Sequence, residues 1–189
     1  DIAGNNDAPY DNQPIQIFQD APPGSFASYL HGGLQTTTPD SIDFNPGPIT
    51  VAYWQHVRTA EVGFSRIFGG WGTTNGFDDF SILSPNSDNT LYWDYGNSSG
   101  SGRISTDYSS FLNRWTFVTC ISQGIGGSKT AIYFDGIEKA TSANSDGPDG
   151  TIVWRIGGGR TGQAWSGRQD SIMIWDRVLS EHEIGNLYC

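Results

Sequence analysis

Side chains suited to acid–base catalysis are few in this 189-residue chain. Hydrolysis of a glycosidic bond with retention of configuration needs two carboxyl groups about 5.5 Å apart. Of the glutamates, Glu138 lies beside a predicted hairpin turn, and Glu181 and Glu183 lie in a predicted helix cap. Only Glu61 is left without a structural role, and it stands alone in "RTAEVGF". We therefore expect no catalytic residues and no enzyme activity, with a glycoside hydrolase or polysaccharide lyase as the least favoured function.

The histidines give no metal site by their spacing. No Cys, His or Glu stands at metal-ligand spacing from His31, His56 or His182. His56 is the one to examine, because Glu61 follows it across a predicted turn. A single histidine on a strand is more often a structural or surface group than a catalytic one.

The charge balance excludes several partners. The formal net charge is -10, and Lys129 and Lys139 are the only lysines. No basic stripe exists, so we expect neither nucleic acid nor an anionic membrane as a partner. No apolar run approaches the roughly 18 residues of a membrane span. No signal peptide is visible, the chain starts at Asp1, and its Asp-rich, Lys-poor composition favours a secreted or surface-displayed protein.

Turn signals recur every eight to twelve residues along most of the chain, which is typical of an all-β sandwich or barrel. The predicted strands are "IQIF", "ASYLHG", "ITVAYWQHV", "SRIFGGW", "DFSIL", "TLYWDYG", "RWTFVTCIS", "TAIYFDG", "TIVWRIG" and "DSIMIW". The segments "GNSSGSG" and "NSDGPDG" are predicted loops. The clearest hairpin turns at Asp135-Gly136, a pair that accepts the two positive φ angles of a type I′ turn. We predict a polar N-terminal arm over residues 1–24 and one domain over residues 25–189.

One short helix is predicted near the C-terminus. Ser180 is a good N-cap residue and Glu183 follows at capping-box spacing. Ile184 and Leu187 are spaced to share one helical face. We expect this helix to cover one exposed part of the sandwich.

The closing stretch "SGRQDSIMIWDRVLSEHEIGNLY" resembles the laminin-G-like and pentraxin-like group of concanavalin A-type jelly rolls, as do "RWTFVTC" with "AIYFDG", "VWRIGGG" and "PITVAYW". The resemblance covers about residues 25–188. It implies two antiparallel sheets packed face to face, with the short helix before the last strand segment. Arg177, Leu179 and Ile184 match scaffold positions of the closing motif. Many members of this group are lectins or adhesion modules, and many hold calcium at one rim.

The resemblance also implies a candidate calcium loop. In "TTNGFDDFSIL", Asp78 and Asp79 match the acidic pair of the first pentraxin calcium loop, and Asn75 lies in the same loop. The second acidic cluster has no counterpart, because Gly158, Gly159 and Arg160 stand where carboxylates are expected. One calcium ion held by Asp78, Asp79 and backbone carbonyls is one reading, and a solvated turn is the other.

The two cysteines leave alternatives open. Cys120 falls at the position of the pentraxin disulfide, but Ala52 occupies the place of its partner, so that bridge is absent. Cys120 is then either a buried thiol or paired with Cys189.

Seven tryptophans raise the question of sugar stacking. Trp54, Trp115 and Trp175 match core positions of the group, and Trp165 is expected to pack under a loop. Trp71 has the least explanation, because it lies in "FGGWGTTNG" beside Asp78 and Asp79. A ring beside a calcium rim would make a sugar site, and a loop tryptophan folded onto the sandwich is the alternative.

These observations predict an extracellular carbohydrate-binding or adhesion module, with or without calcium, whose ligand is a glycan or glycoprotein. The predicted ligand-binding residues are Trp71 and Asn75, and the predicted metal ligands are Asp78 and Asp79. The alternative is a structural or assembly subunit, such as a surface filament or virion decoration, that packs against copies of itself through the N-terminal arm.

Overall fold

The fold consists of two antiparallel β-sheets and one short helix. In the computed structural model the described residues are 16–18, 27–30, 36–37, 42–43, 47–58, 66–72, 80–96, 102–147, 151–157, 165 and 167–189. The predicted all-β, two-sheet sandwich with a C-terminal helix is confirmed.

Sheet 1 has the strand order β1-β2-β14-β5-β10-β11-β12. Its strands are β1 (Gln16–Phe18), β2 (Ala27–Leu30), β5 (Ile49–His56), β10 (Trp115–Ser122), β11 (Thr130–Phe134), β12 (Ile137–Ser142) and β14 (Gly167–Trp175). Strand β5 pairs with β10 on one side and with β14 on the other. The C-terminal strand β14 is therefore central, which explains why so much of the sequence signature lies there.

Sheet 2 has the strand order β3-β13-β6-β7-β8-β9, with β4 also paired to β13. Its strands are β3 (Thr36–Thr37), β4 (Ile42–Asp43), β6 (Arg66–Gly72), β7 (Phe80–Leu83), β8 (Thr90–Tyr95), β9 (Arg103–Asp107) and β13 (Thr151–Ile156). Strands β6 to β9 follow one another as a meander.

The core lies between the two sheets and draws on alternate residues of each strand. Val51 and Tyr53 of sheet 1 and Phe68 and Trp93 of sheet 2 are fully buried in one cluster. The Tyr53 and Phe68 rings meet edge to face with centroids 5.2 Å apart. The Trp93 indole N–H donates to the Ile121 carbonyl over 3.1 Å, so one hydrogen bond also joins the sheets.

Helix α1 (Glu181–Tyr188) covers the outer face of sheet 1. The predicted capping box is confirmed: Ser180 accepts from the Glu183 N–H, and the Glu183 carboxylate accepts from the Ser180 N–H. Leu179 and Ile184 are buried in a second apolar cluster with Ile121 of β10. Arg177 holds Glu183 at 2.7 Å, which confirms the scaffold role of this motif. The expected order was wrong, because within the described part of the chain no strand follows α1.

The hairpin between β11 and β12 is also as predicted. Asp135 has φ 53° and Gly136 has φ 75°, the left-handed pair that the turn requires. The Asp135 carboxylate accepts from the Phe117 N–H at 2.9 Å and contacts Arg114, so the turn is tied to β10.

Three strands escaped the sequence reading. Strands β3 and β4 have two residues each, too short for a periodic signal. Strand β9 was missed because Ile104 is its only buried side chain, and the rest is polar and partly exposed. Strand β14 begins at Gly167, before the predicted "DSIMIW", and is interrupted by an irregularity at Ser171, which has φ 50°.

The tryptophans sit differently from the expectation. Trp54 and Trp175 are only partly buried. The Trp54 ring contacts the Phe117 ring at a tilt on the outer side of sheet 1, and Trp175 packs against the cluster under α1. Trp115 is also only partly buried. Trp165, by contrast, is fully buried in the core between the sheets. The expectation that Trp54, Trp115 and Trp175 lie in the core was therefore wrong.

Both cysteines are free thiols. Cys120 is buried in the core between the sheets, and burial raises the pKa of its thiol. Its register partner is Val51 rather than Ala52. Cys189 is exposed and caps α1, on the other side of sheet 1.

Gln16–Phe18, inside the predicted arm, pair with β2 at the edge of sheet 1. The boundary at residue 24 remains a prediction. The described residues contain no helix of the length and apolarity that a membrane crossing requires.

Candidate functional site

The candidate loop connects β6 to β7 at one end of sheet 2. Trp71 is the penultimate residue of β6, and its backbone is in register with Val153 of β13. Asn75, Asp78 and Asp79 lie outside the described residues. The loop therefore leaves the sheet at Gly72 and returns at Phe80.

The strand register shows what else lies at this end. Phe80 is in register with Tyr95, the last residue of β8. Gly72 is in register with Ile152, near the start of β13. The end of β8 and the start of β13 therefore flank the loop.

Asp146 belongs to the same end of the sheet. Gly96, which follows Tyr95, has φ 90°, and a Cβ there would lie 2.7 Å from the Asp146 Cγ and 2.8 Å from the Gly147 nitrogen. Only glycine permits this approach. The Asp146 carboxylate accepts from the Gly147 N–H at 2.9 Å.

Sequence reasoning missed Asp146, because "NSDGPDG" carries only a loop signal. The contact joins residues 50 positions apart, and only the glycine at 96 hinted at a close approach.

A buried ion pair lies one strand in from the loop. The Asp94 side chain is fully buried, and Arg103 donates to both of its oxygens, from Nε at 2.5 Å and from Nη2 at 2.7 Å. Ser81 donates to Asp94 at 3.1 Å. Arg103 also lies over the Tyr92 ring, 5.0 Å from its centroid. Because its oxygens already accept three hydrogen bonds, Asp94 is a structural carboxylate rather than a metal ligand.

The described residues contain no group of three His, Cys, Asp or Glu side chains that could hold a metal ion. That part of the chain does not include Asp78 and Asp79, nor does it include Gly158, Gly159 and Arg160. Calcium binding thus remains a prediction.

The glutamates with described positions have structural partners. Glu138 accepts from Lys129 at 2.9 Å and from Tyr133 at 2.9 Å, and the Lys129 contact holds the pKa of Glu138 below its usual range. Glu181 lies 3.3 Å from the same lysine. Glu183 is in the capping box, where Arg177 and Ser180 lower its pKa to about 2. These three glutamates are paired with Lys129 or Arg177, so they serve the scaffold.

His56 has a structural environment. Its ring meets the edge of Trp115 with centroids 5.7 Å apart, and burial lowers its pKa. Glu61 and His31 lie outside the described residues, so whether Glu61 lies near His56 stays untested. His182 is exposed on α1, 3.2 Å from Asn186.

Solved structures with the same fold include a pentraxin and botulinum neurotoxin binding domains. A native heptameric SAP-like pentraxin from Limulus polyphemus aligns with a TM-score of 0.68 and 18% identity, over 86% of this chain and 81% of the pentraxin. The receptor binding domain of the botulinum neurotoxin C/D mosaic serotype gives a TM-score of 0.73 and 14% identity, over 97% of this chain and 46% of that one.

A binding domain of botulinum neurotoxin DC in complex with SialylT gives a TM-score of 0.67 at 16% identity, over 96% of this chain and 46% of that one. The chain thus spans less than half of these toxin domains. At such identities the likeness establishes the fold alone. No curated protein matches the sequence significantly.

The family is established by the sequence itself. The sequence model of the group described as the concanavalin A-like lectin/glucanases superfamily, laminin G type, matches residues 31–185. That range covers both sheets from β3 onward and most of α1. The chain belongs to this concanavalin A-like superfamily.

Proposed function

We propose that the chain is a carbohydrate-binding or adhesion module, secreted or displayed at a surface, and that it binds its ligand without turning it over. Membership of a superfamily of lectins and glucanases is the observation that most supports a binding role. The glutamates whose positions are described all contribute to the scaffold, which favours binding over hydrolysis. A toxin binding domain that contains this fold in 46% of its length is known in complex with SialylT, and this likeness supports a binding role.

The proposed ligand site is the loop between β6 and β7 with its flanks. Trp71 would stack against an apolar sugar face and Asn75 would hydrogen-bond sugar hydroxyls. The close contact of Gly96 with Asp146 and Gly147 supports a rigid platform beneath the loop. Rigid scaffolds carrying variable loops are the usual arrangement of binding sites.

Calcium would be held at the same rim. Asp78 and Asp79 supply two carboxylates in this proposal, and Asp146 supplies a third from the adjacent segment. Calcium accepts six to eight oxygen ligands, including backbone carbonyls, so three carboxylates and the loop backbone are a suitable set. When bound, the ion would orient the loop and ligate sugar hydroxyls.

A glycan array tests this function on the intact chain, once in millimolar calcium and once in chelator. We expect binding in calcium that is lost in chelator, and lost again in the Asp78→Ala and Asp79→Ala variants. Asp176→Ala is the matched control, because Asp176 is exposed next to α1, outside sheet 2. Binding in both conditions would show that calcium is not required, and Trp71 would then be the first residue to substitute. No binding in either condition would contradict the proposal.

Self-assembly is the second candidate, because Gln16–Phe18 form the outermost strand of sheet 1. An edge strand presents unpaired backbone groups to which another chain can add. The pentraxin with this fold is described as heptameric. Size-exclusion chromatography with and without residues 1–24 tests this: a larger species that depends on those residues supports assembly, and a monomer in both cases contradicts it.

A further inference from the structure

The space between the sheets is polar at one end. Gln169 of β14 is in register with Gln55 of β5, and Gln55 is in register with Thr116 of β10. All three side chains are at most 2% exposed. They face inward, because Tyr53 and Val118, two residues away along the same strands, belong to the core between the sheets.

Sheet 2 and the segment before β14 close this polar end. The Gln55 amide and the Ser84 hydroxyl hydrogen-bond each other at 2.6 and 2.9 Å. The Trp165 indole donates to the Ser84 carbonyl over 2.5 Å. A Cβ at Gly167 would lie 2.6 Å from that indole ring, so glycine is needed there for Trp165 to seal the end. Tyr108, after β9, is fully buried.

Several polar atoms in this space have no protein partner. Five side-chain atoms form no hydrogen bond with any residue in the described part of the chain: the hydroxyls of Tyr53, Tyr108 and Thr116 and both amide atoms of Gln169. Buried polar groups are nearly always paired, so five such atoms in four side chains require an explanation. Bound water satisfies buried groups of this kind.

The electrostatics show that these groups lie close together. Burial raises the pKa of Tyr108 to about 12, and the nearby Thr116 and Gln55 side chains oppose that shift. Burial likewise raises the pKa of Tyr53, and Ser84 opposes it. The groups are thus close enough together for shared water molecules to reach several of them.

We propose that the space bounded by Tyr53, Gln55, Tyr108, Thr116 and Gln169 is an internal hydration site that holds tightly bound water between the two sheets. Water fits better than an ion, because none of these side chains is charged at neutral pH. Each water would have the two to four polar partners that a buried water needs.

Thr116→Val tests the proposal with a control on the same strand. Thr119 is also fully buried and without a hydrogen bond, but it faces the other side of sheet 1, in register with Ala52 and Tyr133. Removing a hydroxyl that bonds water should lower Tm by about 2–4 °C in Thr116→Val. Removing an isolated hydroxyl in Thr119→Val should leave Tm unchanged or raise it. Equal or higher Tm in both variants would overturn the proposal.

Direct detection of the water does not depend on any variant. Water ¹⁷O relaxation dispersion on the wild-type chain should reveal long-lived internal water, and the amplitude should fall in Thr116→Val but not in Thr119→Val. A high-resolution crystal structure of the wild type should show water density bonded to Gln169, Tyr108 and Thr116. An empty space, or density for another molecule, would contradict the inference.

Discussion

The outer faces of the two sheets differ in what they bury. On sheet 1 the outer face carries Ile121 and Tyr133, which α1 covers through Leu179 and Ile184. On sheet 2, Asp94 follows the core residue Trp93 in β8 and so points to the outer face. Its side chain is fully buried and paired with Arg103. The hydrophobic effect holds α1 against the outer face of sheet 1, whereas the outer face of sheet 2 contains an ion pair whose carboxylate is buried.

This difference separates scaffold from site. The covered face of sheet 1 is built from the chain's own closing motif. Thr50 on that face is paired within the motif, because it donates to the Arg177 carbonyl at 2.7 Å and accepts from the Leu179 N–H at 3.0 Å. The charged pair of sheet 2 lies one strand from the candidate loop. We therefore expect ligand binding at sheet 2 and only stability effects at sheet 1.

The largest effect on stability should come from breaking the ion pair of sheet 2. Arg103→Met leaves the buried Asp94 carboxylate without its cation. Loss of one partner of a fully buried pair costs about 3–5 kcal/mol, and because the Arg103 side chain is 34% exposed we expect a value at the lower end of that range. Urea unfolding measures this change. Arg58→Met is the control, because Arg58 is exposed, and it should change the free energy of unfolding by less than about 0.5 kcal/mol. A small change in Arg103→Met would mean that water reaches Asp94.

A somewhat smaller effect should follow from opening the covered face of sheet 1. Ile184→Ala removes a fully buried side chain from the cluster under α1, at a cost of about 2–4 kcal/mol. Ile137→Ala is the matched control, because Ile137 is 62% exposed, and its cost should stay near zero. Thermal unfolding followed by circular dichroism distinguishes them. Equal loss in both variants would show that α1 does not close this face.

The smallest effect concerns pH. Arg177 and then Ser180 lower the pKa of Glu183 to about 2, from an ordinary value of 4.5. Because the folded pKa is depressed, its contribution to stability is complete above about pH 4.5 and is lost as the pH falls towards 2. Wild type should therefore exceed Glu183→Gln in Tm at pH 6, and the difference should shrink below about pH 4.5 and be mostly lost near pH 2. A difference that stays constant across this range would contradict the assignment.

The scaffold was predictable because its signals are local. The capping box at Ser180 and Glu183 and the turn at Asp135-Gly136 each need only a few neighbouring residues, and both are confirmed. Strand β9 was missed because a strand at the edge of a sheet needs only one inward apolar residue, here Ile104. The positions of Trp54 and Trp175 were mispredicted for a related reason. Helix α1 covers the outer face of sheet 1, so both faces of this sheet carry apolar side chains, and sequence periodicity cannot tell which face is the core.

The site was less predictable because its parts come from distant segments. The approach of Asp146 to Gly96 depends on the sheet register. The polar row of Gln55, Thr116 and Gln169 is equally invisible in sequence, where each residue sits singly in a different strand. The proposed loop residues Trp71, Asn75, Asp78 and Asp79 remain a prediction from sequence.

The most direct test of the central claim is chemical-shift mapping of the ¹⁵N-labelled chain during titration with its best glycan from the array. The account predicts that the amides of Gly72, Phe80 and Gly96, at the loop end of sheet 2, shift in proportion to saturation. Those of Gly136 and Tyr188, which lie together beside α1, should not move. Shifts confined to the α1 side of sheet 1 would contradict the placement of the binding site.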